Sequence, residues 1–371
     1  MTATTAPRPA RERLLFLDAL RGLALILMVL NHTPRWWQDG SMKWPRYYLI
    51  YVTLTLAAPM FLFLVGFCVP LSTSKSESAG AALGKGVIRG FKLIVAGLLL
   101  NLLVFPDPPI WKTVWNNGVL QTIGFSILIA TPGALLLRSR AAQGGLLALA
   151  ALGYLAFWWT FPQLTQWVQV HPQSSKILFF EFPPWPWLCL VLVGLVLGGW
   201  WVQQPDRAAR ARYMWMMAAA GALCLLWFFG WDWWAQTAKR WMFTRDFSLN
   251  NHWTPRGATL AWVMGMVFCQ LALFYWLIEL VRLPVRWLVI LGQTALFLYF
   301  THQLIVLTLI NEYLGIRLNN WPRFILANLL LLVLLVWMGW AWLALRRVYR
   351  ERWKEPLRGK VWRWLIVFLP A

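Results

Sequence analysis

The sequence predicts an all-α, polytopic integral membrane protein of about ten transmembrane helices, with N- and C-termini in the cytoplasm. Three observations predict it. First, 60% of the 371 residues are hydrophobic and 13% are charged, a balance outside the range of soluble domains. Second, apolar stretches recur near 14–33, 48–71, 91–106, 118–137, 143–161, 183–202, 213–231, 257–281, 287–310 and 324–345. Most are long enough to cross a ~30 Å hydrocarbon core, the third being the shortest. Third, with the N-terminus placed inside, 22 Lys and Arg fall on the cytoplasmic side and 11 outside. Arg21, within the membrane, completes the 34, and the asymmetry follows the positive-inside rule. The net charge of +21 therefore belongs to interhelical gaps and points to no nucleic acid. The 29 tryptophans suit rings seated at the membrane interfaces.

The first span reads LLFLDALRGLALILMVLNHT. Asp and Arg cost roughly 2.5–3.5 kcal/mol each at mid-bilayer, so they are rarely idle. Asp18 and Arg21 are three residues apart, and His32 returns to nearly the same helical angle as Arg21, roughly 16 Å further along the axis. The three form a polar stripe through half the membrane. Imidazole can serve as a general base or a nucleophile near neutral pH. Asn31, turned away by about 100°, could polarise a carbonyl if the helix end unwinds. Asp18 and Arg21 read either as a simple ion pair or as a guanidinium held ready for phosphate.

After the span at 48–71, residues 75–92 read as a cytoplasmic loop with Lys75, Lys85, Arg89 and Lys92 among glycines. It is either an ordinary positive-inside loop or a cradle for phosphates, without the spacing of a Walker or dinucleotide motif. Asn116, Asn117 and Gln121 open the span at 118–137 and are candidates for a polar cavity. The outer loops 161–183 and 232–256 are rich in Trp, Pro and Phe, suited to stacking sugar rings or to anchoring at the interface. Glu181 stands before Pro183, Pro184 and Pro186, either as a solvated loop acid or as a carboxylate that binds an acceptor or shares a proton with a His. His302, followed by Gln303, lies deep in the span at 287–310, as a second imidazole or a packing group. His171 and His252 read as loop residues without a role. Residues 346–371 form a basic, aromatic tail suited to the anionic inner leaflet. Cys68, Cys189, Cys224 and Cys269 lie in apolar runs and read as small buried hydrophobes, and the histidines lack metal-ligand spacing, so no metal is expected. Residues 1–13 are polar, with no cleavage site after the first span, and read as a retained cytoplasmic segment of a single domain spanning 1–371.

Leu17-Asp18-x-x-Arg21-Gly22-Leu23-Ala24 followed by His32 resembles a broad class of membrane-embedded acyltransferases. AAPMFLFLVGFCVPLS (57–72), NNGVLQTIGFSILIA (116–130), FEFPPWPWLCLVLVGLVLG (180–198) and LGQTALFLYFTHQLIV (291–306) narrow the resemblance. In that order they are similar to segments of the heparan-α-glucosaminide N-acetyltransferase-like family of transmembrane acyltransferases. Two positions depart from it: Thr122 stands where members commonly carry Arg, and Glu181 where many carry Asp.

The resemblance implies transfer of an acyl group, most simply acetyl, from cytoplasmic acyl-CoA to an amine or hydroxyl of a saccharide or glycan acceptor at the outer face. His32 is the expected base or acyl carrier, with His302, Glu181 and Asn31 as further catalytic candidates. Asp18, Arg21, Lys75, Lys85, Arg89 and Lys92 are candidates for holding CoA, and Asn116, Asn117 and Gln121 for the acceptor. Multi-pass residence in the cytoplasmic (inner) membrane, contact with membrane lipids and a role in the cell envelope follow, and a homodimer is compatible. The alternative is a transporter or lipid-linked-sugar flippase using the same intramembrane polar residues. A non-catalytic scaffold is a third reading.

Overall fold

The structure, a computed structural model, describes residues 13–39, 56–106, 109–179, 182–237 and 259–349. All regular structure among them is helical: α1 (Leu15–Trp37), α2 (Ala57–Thr73), α3 (Ala79–Leu103), α4 (Ile110–Thr113), α5 (Val119–Leu136), α6 (Arg140–Val170), α7 (Lys176–Phe179), α8 (Pro184–Val202), α9 (Arg207–Thr237), α10 (Thr259–Tyr275), α11 (Arg286–Gln293), α12 (Ala295–Gln303) and α13 (Trp321–Val348). Among the described residues, nine helical stretches are long and apolar enough to cross a membrane, and α2 is a shorter apolar helix. The chain is thus the all-α polytopic membrane protein that its hydropathy predicts.

α1 sits at the centre. It packs against α2, α10, α11, α12 and α13, and Phe16, Leu20, Leu25 and Val29 are wholly or almost wholly buried. α6 and α13 are peripheral, with long rows of exposed Leu and Trp. Without a hydrophobic driving force in lipid, helices are joined by close packing at small residues. At the α1–α11 crossing, a Cβ on Gly22 would lie 2.1 Å from Leu288 O, and one on Gly292 only 1.7 Å from Asp18 O. Backbone meets backbone there, so neither position has room for a side chain.

The structure differs from the sequence expectation in three places near the site. The segment read as a loop over 75–92 is helical from Ala79, so the third span is α3, 25 residues long, not 91–106. Ser78 caps it, its side chain accepting from Ala81 N at 3.1 Å. The outer loop expected from 161 is helical as far as Val170, with His171 as the cap of α6. The span expected over 287–310 is one kinked crossing made of α11, α12 and a π-helical stretch, Leu304–Tyr313. The kink falls at Thr294, whose hydroxyl donates to Ile290 O at 2.8 Å. Such back-bonding bends helices. The crossing runs alongside α1, so Asp18 meets Gly292, His32 meets His302, and Trp37 Nε1 donates to Val306 O at 3.0 Å.

Candidate active site

Met28, Asn31, His32, Arg35 and Trp36 repeat at the spacing of one helix face and line a cavity of 280 Å3. α2 contributes Ala57 and Ala58, α3 Leu100 and Asn101, α5 Val119, Leu120 and Gln121. Phe105, Phe182, Trp36 and Tyr299 give aromatic walls. The volume stands near the lower end of the roughly 300–1,000 Å3 of small-molecule sites, enough for one sugar ring. α1 stays helical through Trp37, so Asn31 reaches the cavity without the unwinding that the sequence suggested.

His32 is gripped from the far side. Its Nδ1 lies 3.0 Å from His302 Nε2 and 3.1 Å from Gln303 Nε2, while Gln303 Oε1 is buried without a hydrogen-bond partner among the described residues. The two rings are within 4° of parallel, with centroids 5.3 Å apart, the separation of imidazoles joined nitrogen to nitrogen in one plane. His302 Nδ1 lies 3.0 Å from Leu298 O, which only accepts, so that nitrogen carries a proton. A neutral His302 then offers Nε2 as an acceptor, and His32 Nδ1 is the donor. A protonated Nδ1 needs an oxygen from Gln303, so the carboxamide is read with Oε1 facing it. Trp36 packs on the imidazole at 5.0 Å between centroids. In this tautomer the lone pair of His32 is on Nε2.

A second cavity, of 150 Å3, lies at the other end of the same four helices. Arg21 of α1, Cys68 and Ser72 of α2, Lys85 and Arg89 of α3 and Thr131 of α5 line it. Arg89 Nη1 donates to Ser72 Oγ at 2.8 Å. Arg21 donates to Asp18 Oδ1 at 3.2 Å and to Cys68 Sγ at 3.1 Å. Cys68 is therefore more than an apolar filler. Asp18 is buried, and it also accepts from Arg13 Nε at 2.5 Å and Gln293 Nε2 at 3.4 Å.

The structure brings His32, Asn31, Asn116 and Gln121 to the first cavity, and Arg21, Lys85 and Arg89 to the second. It does not bring the others. Asp18 faces Arg21 and Arg13 rather than a cavity. Lys75 lies in the α2–α3 turn and Lys92 further along α3, neither of them among the lining residues. Asn117 is buried, its Nδ2 donating to Thr122 Oγ1 at 2.8 Å and to Phe182 O, to which Thr122 also donates. Thr122 and Asn117 thus pin the chain before α8. His302 is fully buried and touches His32, not the cavity. Glu181, His252 and most of the tail 346–371 lie outside the described residues. Asn101 belongs to no motif in the sequence, though an Asn within LLLNLLV is a signal of its own. It donates to Val114 O at 2.9 Å and Asn116 O at 2.7 Å, holding the cavity wall before α5. Among the described residues, no group of three or more His, Cys, Asp or Glu is gathered as for a metal ion.

Residues 13–230, which include both cavities' α1, α2, α3 and α5 walls, match the family described as heparan-alpha-glucosaminide N-acetyltransferase, catalytic. The chain belongs to that family. A curated relative, heparan-alpha-glucosaminide N-acetyltransferase of the mouse, Mus musculus, is 32% identical over 129 residues. That match takes in 33% of this chain and 19% of the mouse protein, so it spans about a fifth of the relative's length. His302 and Gln303 lie beyond the segment matched to the family.

Proposed function

We propose that the protein is a membrane-embedded acyltransferase that moves an acyl group, most simply acetyl, from acyl-CoA to an amine or hydroxyl of a saccharide acceptor. The observation that carries this reading is the pair of cavities on one four-helix frame, cationic at one end and imidazole-bearing at the other. Arg21 and His32 are separated by roughly 16 Å along α1. CoA is too polar to cross a bilayer, so donor and acceptor must meet within the protein. The positive-inside distribution supports a cytoplasmic position for the cationic cavity, and in this reading Arg21, Lys85 and Arg89 hold the donor's phosphates. The first cavity then opens toward the outer face, and its aromatic walls and the Asn116 and Gln121 carboxamides hold the sugar. The family match supports the reaction class, and membership in a catalytic family supports an enzyme rather than a scaffold.

In the reaction, the acceptor nitrogen or oxygen attacks the thioester carbonyl as His32 Nε2 takes its proton. The carbon–sulfur bond breaks, and His32 returns the proton to the CoA thiolate. Asn31 lines the cavity at 2% exposure, and in this reading its amide donates to the carbonyl oxygen as charge develops there. No metal is required. The residence proposed is the cytoplasmic membrane.

Purified protein in nanodiscs, given acetyl-CoA with and without amino sugars, tests this. Acceptor-dependent release of CoA thiol supports the proposal. Folded protein that releases no thiol from acetyl-, succinyl- or longer acyl-CoA refutes it. That result would favour transport, for which the break in the crossing at Thr294 is the structural feature to follow.

A further inference from the structure

His302 is the second imidazole of the site, yet its environment suits no contact with substrate. It is 0% exposed and does not line the cavity. Its Nδ1 is committed to Leu298 O, and its Nε2 lies against His32. Gln303, 2% exposed, approaches the same His32 nitrogen with its amide Nε2 at 3.1 Å; exchanging the amide oxygen and nitrogen gives the otherwise unpartnered Oε1 the His32 proton to accept. Two groups thus converge on Nδ1 of one imidazole, and both are held by the last turn of α12 just before the backbone widens into a π-helix.

We propose that His302 and Gln303 are positioning residues that clamp His32 Nδ1–H and so present Nε2 as the base. The clamp rests on the acyltransferase reading for its purpose, but not for its existence. It does with neutral groups what a carboxylate does in a serine-protease triad: it fixes the tautomer and the ring plane. The neutral version suits this place. A carboxylate buried beside His32 without a cation would carry a large desolvation cost, whereas an imidazole and a carboxamide carry little. The order of donors is set by the Leu298 carbonyl. It makes His302 Nδ1 a donor, hence Nε2 an acceptor, hence His32 Nδ1 a donor.

The clamp is read without substrate by nitrogen-15 NMR of histidine-labelled full-length protein in nanodiscs, with His32→Ala used to assign the His32 signals. The expected wild-type spectrum has His32 protonated at Nδ1 and bare at Nε2. Removing both acceptors, in His302→Leu with Gln303→Met, lets the Nε2–H form appear. His302→Gln places a carboxamide near the position of Nε2, and Gln303→Glu retains an oxygen, so each keeps the Nδ1–H form. In turnover, the double variant loses about 10²-fold in kcat with the KM for acetyl-CoA within about threefold, and His302→Gln recovers most of the rate. A merely structural role would move stability and leave the tautomer alone.

A wild-type His32 protonated at Nε2 would overturn the clamp, as would an unchanged tautomer in the folded double variant. Should that variant fail to fold, the wild-type tautomer still decides. A wild-type Nδ1–H signal in protein that cleaves no thioester would uphold the clamp and refute the acyltransferase reading instead.

Discussion

Gly292→Ala provides a direct test of the crossing that sets α1 against the kinked span. The added Cβ would sit 1.7 Å from Asp18 O, where ordinary contact begins at 3.4 Å. The two backbones must therefore part by about 1.7 Å. Neither atom is the end of a flexible side chain, so no rotamer change relieves the clash. Overpacking in a tight interior costs about 1–3 kcal/mol, and replacing a helical Gly by Ala returns about 1 kcal/mol of propensity. With a backbone-to-backbone clash the upper end applies, for a net loss of about 2 kcal/mol and a Tm lowered by about 2–3 °C for a chain of this length. The separation also draws Gln293 from Asp18, because that contact is already 3.4 Å. Gly84→Ala is the control, since it lies in α3 with nothing within 4 Å of the added carbon. It should leave Tm unchanged or raise it. Thermal unfolding of both variants in the same detergent reads the comparison. A Gly292→Ala protein as stable as Gly84→Ala would refute the close crossing, and with it the register that brings His302 to His32.

Other perturbations separate the two ends of the site. Lys85→Ala and Arg89→Ala should each raise the KM for acetyl-CoA by about tenfold with kcat nearly unchanged, an effect that weakens as salt is added; equal KM values would remove these cations from donor binding. Asn101→Leu strips two carbonyls of a donor and should cost about 1–3 kcal/mol in thermal unfolding, with a raised acceptor KM as that cavity wall loosens; wild-type values for both would contradict its role. Arg21→Lys keeps the charge but not the fork that reaches Asp18 and Cys68 together, so it should weaken acetyl-CoA binding in titration by more than threefold; unchanged binding would leave Arg21 a structural ion pair.

The legible part of this molecule is what depends on local composition. The crossings are written as apolar runs, and the polar stripe of α1 stands out because Asp18, Arg21 and His32 are costly there. The helical start of α3 was not legible, because Lys, Gly and Ser over 75–92 have the composition of a loop. Its glycines act through packing instead: Gly86, Gly90 and Gly97 face Thr131, Leu128 and Gln121 of α5 so closely that a Cβ would not fit. The grip on His32 could not be read at all. It joins residues 270 positions apart, and no periodicity in either segment reports the other. His302 is visible in the sequence as an intramembrane imidazole, but whether it faces substrate or another side chain is decided only by packing. Asn117 shows the same limit: it shares a run with Asn116 and Gln121, yet one step around the backbone turns it from the cavity to the Phe182 carbonyl.

In the proposed reaction one chain joins a donor at one membrane face to an acceptor at the other through His32. Proteoliposomes separate the two substrates, with labelled acetyl-CoA supplied to one side and amino sugar to the other. The account predicts acetylated sugar on the far side from the CoA, with His32→Ala lowering the rate by about 10²–10⁴-fold while its unfolding profile stays that of wild type. Transfer undiminished in His32→Ala, or acetylation only when both substrates share a side, would contradict it.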